Sequence, residues 1–219
     1  MNKTPPSPAS PNGPLLQGTD LSCIRQDRLL FADLSLQLYP GQLLHVMGKN
    51  GAGKSSLLRI LAGLAQPDDG QLYYQAKLLQ HSLPVYCGNL CYIGHHSGIH
   101  EQLTALENLA FWRAASGLKL ADDWAVLAQL GLAGLEDVPC RMLSAGQQRR
   151  VSLARLWLTP AQIWILDEPF TALDQSAIAL LQQQMLHHLS NNGAIILTTH
   201  QRLTLHFPAL VQLEIAYRW

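Results

Sequence analysis

Gly48-Lys49-Asn50-Gly51-Ala52-Gly53-Lys54-Ser55, followed by Ser56, has the residue types and spacing of a loop that holds phosphate. Glycines let backbone N–H groups turn inward onto phosphate oxygens, and Lys54 adds a point charge at the β- and γ-phosphates. The Ser55 hydroxyl can ligate Mg2+, and a helix opening at this point favours the anion through its N-terminus. A second chemical element is Ile163-Trp164-Ile165-Leu166-Asp167-Glu168-Pro169, an apolar run that ends in two carboxylates. Asp167 can hold Mg2+ through water, and Glu168 can orient an attacking water and accept its proton. A third is Leu143-Ser144-Ala145-Gly146-Gln147-Gln148-Arg149-Arg150, where Ser144 stands at a helix cap. Its hydroxyl, small neighbours and free helix N-terminus make a second phosphate-binding surface. From the residues alone, an ordinary capped helix is the better explanation of that segment.

These groups need elements to position them. Residues 43–47 form a short, largely apolar run containing His45 and bounded by glycines, which predicts a buried parallel strand leading into the glycine loop. Apolar residues at helical spacing predict a helix over 55–64, and Pro67-Asp68-Asp69-Gly70 predicts a turn. Residues 29–38 read as a strand. Helices are expected over 104–115, where Thr104 and Glu107 have capping-box spacing, and over 122–130, 144–158 and 175–190. Further buried strands are expected at 163–166 and 194–199. This alternation implies an α/β P-loop fold with a mainly parallel sheet, preceded by N-terminal strands and interrupted by a helical subdomain over about 88–159. Residues 1–18, rich in Pro, Ser and Asn, read as a solvated tail, leaving 19–219 as one folded domain.

Composition narrows the function classes. With 48% apolar and 14% charged residues in 219, the chain can build a full core and is not disordered. Fifteen basic residues balance fifteen acidic ones, so no global basic field draws it to nucleic acid. No apolar run reaches a membrane span, and the N-terminus lacks the pattern of a signal peptide. Any membrane role is therefore expected to pass through a partner. Cys23, Cys87, Cys91 and Cys140 read as free thiols in a reducing compartment. The Cys87, Cys91, His95 and His96 spacing could suggest a metal, but small apolar thiols in a core explain it better. His187 and His188 read as surface residues of the 175–190 helix. Trp112, Trp124 and Trp157 read as core or interface residues.

Taken in order, Gly48–Ser55, Leu143–Gln147, Ile163–Glu168, Ala172-Leu173-Asp174 and His200 resemble the ATP-binding domain of ABC transporters. That resemblance implies an ATPase using ATP and Mg2+, working as a homodimer. Glu168, His200 and Lys54 would be the catalytic groups, with His200 touching the γ-phosphate. Ser144, Gly146 and Gln147 would close in trans over ATP held by the second subunit, and Asp174 would contact that subunit. The stretches Ile93-Gly94-His95, Leu103–Leu109, Ala145–Val151, Leu153–Thr159 and Thr198–Gln201 resemble the CcmA-type ATPases of bacterial cytochrome c maturation. This narrower likeness implies integral membrane partners of the CcmB and CcmC type, a CcmE-type haem chaperone, and a peripheral place on the cytoplasmic face of the inner membrane. Residues 88–118 would then be the docking surface. The alternatives are an ATP-binding subunit of another transporter, a soluble ABC ATPase acting on DNA or ribosomes, and a small-molecule P-loop kinase. The sequence departs from the family pattern at two places. Arg25 stands where an aromatic usually covers adenine, and a guanidinium plane can also cover a purine. The glutamine that usually links Mg2+ to the membrane partner falls at His95 or His96, an imidazole that can accept from or ligate a cation-bound water.

Overall fold

A computed structural model describes residues 13–117 and 122–217. Residues 1–12 of the expected tail, and residue 118 of the expected docking surface, lie outside the described residues.

The chain opens with β1 (Leu16–Arg25) and β2 (Arg28–Leu38), an antiparallel hairpin that turns at Gln26 and Asp27, both with positive φ. β1 starts inside the stretch read as tail: Leu15 and Leu16 are buried against the core, so the folded domain extends further toward the N-terminus than expected. A lone pair of leucines directly after Pro14 carries too little periodicity to announce a strand. β3 (Leu43–Met47) leads into the glycine loop, and α1 (Lys54–Leu61) leaves it. β4 (Asp69–Tyr74) and the two-residue β5 (Lys77–Leu78) complete a four-stranded antiparallel sheet in the order β2-β1-β4-β5. The expected turn at 67–70 therefore runs straight into a strand.

After α2 (Leu79–Gly88), β6 (Leu90–Ile93) joins β7 (Ile163–Asp167), β8 (Ala194–Thr198), β3 and β9 (Leu210–Glu214) in a parallel sheet ordered β6-β7-β8-β3-β9. β6 corrects the expected 88–159 boundary. Its Cys91 and Ile93 are buried core residues, so the inserted helices begin only after the strand. Those helices are α3 (Ala105–Ala115), α4 (Asp123–Gln129), α5 (Ala145–Leu153) and α6 (Arg155–Leu158); the single helix expected over 144–158 is broken at Ala154. The Thr104–Glu107 capping box forms as its spacing predicts. α7 (Gln175–Ser190) matches its expected limits.

One core lies between the two sheets around α1, and a second lies on the opposite face of the parallel sheet under α7. A third holds the helical layer together. β7 and β8 are buried along their whole length, as interior parallel strands covered on both faces must be.

His188 corrects the surface reading of α7. Its ring stacks on Trp164 at 3.8 Å and 7°, and a Cβ on Gly193 would strike it at 2.3 Å. Burial pushes its pKa down to about 4, against the pull of the Ala194 and Gln162 backbone. The unfolded chain therefore takes up this proton first. The stabilisation is complete above the ordinary histidine pKa near 6.5 and is lost as pH falls toward 4. Between pH 7 and pH 5 the loss is about 2 kcal/mol, or roughly 4–8 °C in Tm. In His188→Phe, which keeps the stack without the titration, thermal melts should show that part of the acid sensitivity removed; an unchanged pH slope would contradict the assignment.

Candidate active site

The loop between β3 and α1 takes its shape from its glycines. Gly48, Gly51 and Gly53 adopt φ of +148, +76 and +103°. A Cβ on Gly48 would meet the Ile215 carbonyl oxygen at 2.7 Å, because β9 passes directly beside it. The Lys54 ammonium turns back across the loop and donates to the Gly48 carbonyl at 2.7 Å and the Lys49 carbonyl at 3.4 Å. Lys54 opens α1, so the charge and the helix N-terminus share one location.

A cleft of about 530 Å³ brings this loop to the ends of β6 and β7. Asn50, Gly51, Gly53, Lys54, Ser55, Ser56, His95, Asp167, Glu168 and His200 line it together. The size suits a small-molecule ligand. Asp167 is buried at the end of β7, where its Oδ1 accepts a 2.6 Å bond from the Thr198 hydroxyl; parallel pairing of β7 with β8 puts the two residues side by side. Glu168 takes a left-handed backbone conformation, φ +48°. That is strained for a residue with a Cβ. It is held by N–H donation to the Thr198 carbonyl and hydroxyl at 3.1 and 3.0 Å. Glu168 Oε2 accepts from the His200 backbone N–H at 3.2 Å. Its Oε1 is buried without a hydrogen-bond partner and lies 3.6 Å from His200 Nε2. The same imidazole nitrogen sits 3.0 Å from Asn50 Oδ1, so His200 bridges the glycine loop and the carboxylate.

An unpaired buried carboxylate oxygen next to a cradle of N–H groups, an ammonium and an imidazole fits phosphate chemistry. The cradle binds anionic oxygens, and Oε1 can accept from a water attacking the terminal phosphate. Ser55 and Asp167, a hydroxyl and an oriented carboxylate on one wall of the cleft, are hard oxygen donors suited to Mg2+. Of the two histidine candidates, His95 lines this cleft; His96 packs edge-on against it at 5.7 Å.

The remaining candidates lie elsewhere in the chain. Ser144 caps α5, accepting from the Gln147 N–H at 3.3 Å, while Gln147 Oε1 accepts from the Ser144 N–H at 2.8 Å. Neither they nor Gly146 line the cleft of their own chain. A Cβ on Gly146 would come within 2.7 Å of the Ala172 carbonyl oxygen, so this turn packs against the loop that carries Asp174. Asp174 caps α7 and pairs with Arg150. The Ala177 N–H first, then Ser176 and Arg150, hold its carboxyl below the usual range.

Arg25 pairs with Asp68 at 3.3 Å and is not among the residues that line the cleft. The planar groups beside the loop are Arg28, whose guanidinium lies 4.3 Å over the Tyr217 ring, and Tyr217 itself, whose Cε2 would lie 3.7 Å from a Cβ on Gly51. Two further residues were not legible as site groups. His45 meets the Thr199 carbonyl through Nε2 at 3.3 Å, and burial holds its pKa below the ordinary value. Arg149 is buried; in the sequence it is one of two adjacent arginines with nothing to mark it for burial. Cys91 is a buried thiol that burial pushes up to about 11, whereas Cys87 is exposed. Among the described residues no group of three His, Cys, Asp or Glu is placed to hold a metal.

Comparison with known proteins decides the family. The ABC transporter family model matches residues 31–171, which include the glycine loop, the Ser144 turn and both acids. The chain belongs to the ABC transporter family. A curated relative from Idiomarina loihiensis, described as cytochrome c biogenesis ATP-binding export protein CcmA, is 50% identical over 210 residues, 96% of each chain. A CcmA relative from Salmonella typhi is also 50% identical, covering 86% of this chain and 91% of its own length. Among solved structures, an ATP-binding subunit of an ABC transporter superposes with a TM-score of 0.76 at 26% identity, over 85% of this chain and 79% of the other. A putative ABC transporter ATP-binding protein from Pyrococcus furiosus has the same fold, with a TM-score of 0.77 at 22% identity over 91% and 96%. The expected α/β architecture, with antiparallel N-terminal strands and a helical insert, is thus the ABC ATPase fold.

Proposed function

We propose that this chain is the ATP-hydrolysing subunit of a bacterial ABC exporter for cytochrome c biogenesis. The observation that carries the proposal is the convergence of Lys54, Ser55, Asp167, Glu168 and His200 on one cleft, in a chain 50% identical along almost its whole length to a cytochrome c biogenesis export ATPase. Residues 48–56 would cradle the phosphates of ATP, and Glu168 Oε1 would accept the proton of the attacking water. His200, between Asn50 and Glu168, would contact the γ-phosphate as it moves. Mg2+ bound by Ser55 and Asp167 would neutralise phosphate charge, and His95 would sense that region from the insert side. Arg28 and Tyr217, which lie beside Gly51, would be further planar groups able to cover the base.

The Ser144 turn is absent from its own cleft, which supports a homodimer in which Ser144, Gly146 and Gln147 of each copy close over ATP held by the other, with Asp174 at the seam. Among the described residues no helix is long and apolar enough to cross a membrane. Coupling would therefore pass to integral partners of the CcmB and CcmC type at the cytoplasmic face of the inner membrane, docked around residues 88–118. Haem, or a haem-loaded chaperone of the CcmE type, would be the cargo moved or released. No nucleic-acid partner is proposed. Deleting the gene from its host should remove mature c-type cytochromes on haem-stained gels. A plasmid copy should restore them, and a Glu168→Gln copy should not. Normal cytochromes in the deletion strain would overturn the cytochrome assignment.

A further inference from the structure

Arg149 lies on α5, one turn beyond the Ser144 cap, and is 6% exposed. Its guanidinium makes no ion pair among the described residues. It donates instead to four backbone carbonyls on two separate segments: Nη1 to Gly94 at 3.0 Å, Nη2 to Asp167 and to Glu168 at 3.0 Å each, and Nε to Pro169 at 3.4 Å. Burying a cation without a carboxylate is costly unless its donors are satisfied, and here carbonyl dipoles take four of the five N–H groups. Only a planar fork of fixed geometry can reach these positions together; an ammonium cannot.

The four carbonyls are not scattered. Three belong to the segment that sets the backbone of Glu168, the strained residue at φ +48°. The fourth belongs to Gly94, immediately before His95, at the end of β6. One side chain on the Ser144 helix thus grips both the backbone that aims the carboxylate and the root of the His95 loop.

We infer that Arg149 is a positioning residue that holds Glu168 in its hydrolytic orientation and ties that orientation to the Ser144 helix. This inference rests on the ATPase reading above. Engagement of Ser144 by the nucleotide of a second copy would pull on α5 and, through this guanidinium, on the Glu168 backbone. The hydrogen bonds of Arg149 all go to Gly94 and residues 167–169 rather than to the phosphate cradle between β3 and α1, so nucleotide affinity should be spared.

The test uses the complex purified with its membrane subunits and compares wild type, Arg149→Lys and Arg149→Met. A misplaced catalytic group costs on the order of 100-fold in rate. Arg149→Met is expected to lower kcat about 100-fold and Arg149→Lys about 10-fold, with the Kd for ATP within about threefold of wild type. A double-variant cycle supplies the readout that a merely structural role would not move. In a Glu168→Gln background, Arg149→Met should add no further loss, because the residue it positions is already disabled. Wild-type turnover in Arg149→Lys, equal loss of ATP affinity and kcat, or multiplying losses in the double variant would each overturn the inference. Should Arg149→Met fail to fold, the lysine variant and its own cycle with Glu168→Gln decide the question alone. Absence of ATP hydrolysis in the wild-type complex would instead overturn the underlying ATPase reading.

Discussion

Lys54→Ala is expected to abolish tight nucleotide binding. The ammonium is the one side-chain cation among the loop residues that line the cleft, and it is already held over the loop by the Gly48 and Lys49 carbonyls. Removing one partner of a desolvated charge pair costs about 2–5 kcal/mol, or roughly 30- to 5,000-fold in Kd. Calorimetric titration with ATP and Mg2+ measures this directly. The loop should keep its fold, because its turns come from Gly48, Gly51 and Gly53 and from the Ala52 N–H bond to the Lys49 carbonyl at 3.1 Å. Circular dichroism and the melting temperature should therefore stay near wild type. A Kd within about tenfold of wild type would contradict the phosphate role of Lys54.

Glu168→Gln should separate binding from chemistry. The amide preserves the shape and can still accept the His200 backbone N–H through its oxygen, so affinity for ATP should hold. It cannot take a proton from water, and loss of a positioned general base typically costs 10²- to 10⁴-fold in rate. Turnover of the complex should fall by about that amount with ATP binding intact. A variant that hydrolyses ATP at the wild-type rate would remove Glu168 from the mechanism.

The elements that carry the chemistry were legible because their local signals agree with their tertiary role. The glycine loop sits between an apolar strand and a helix, and β7 is a short apolar run that ends in acids. Thr104 and Ser144 announce helix starts through their cap chemistry. What escaped the sequence has the opposite character. β6 hides among Cys87, Cys91, His95 and His96, where side chains suggesting a metal mask a four-residue strand. β9 alternates exposed with half-buried positions at the sheet edge, a weak pattern for a strand that nevertheless braces Gly48. His188 looks like a polar face of α7, and only the packing of that helix over β7 puts it on Trp164. Arg149 and Arg150 are adjacent in sequence, yet one is buried among carbonyls and the other pairs with Asp174. Helical rotation separates their fates, and composition does not record it.

The cleft shows a further division of labour. Everything that can touch phosphate from one side is present in the single chain, whereas the Ser144 turn faces elsewhere, its cap already formed. A preformed cap on an exposed turn is suited to receive an anion from outside the chain, since a helix N-terminus leaves N–H groups without intrahelical partners. The proposed function therefore turns on assembly: each nucleotide would be enclosed by two copies.

The most direct measurement is the solution mass of Glu168→Gln by light scattering with saturating ATP and Mg2+. Twice the mass of one chain is expected, with reversion to single chains in ADP or when Ser144→Arg is added. Single chains throughout, at saturating ATP, would contradict the account.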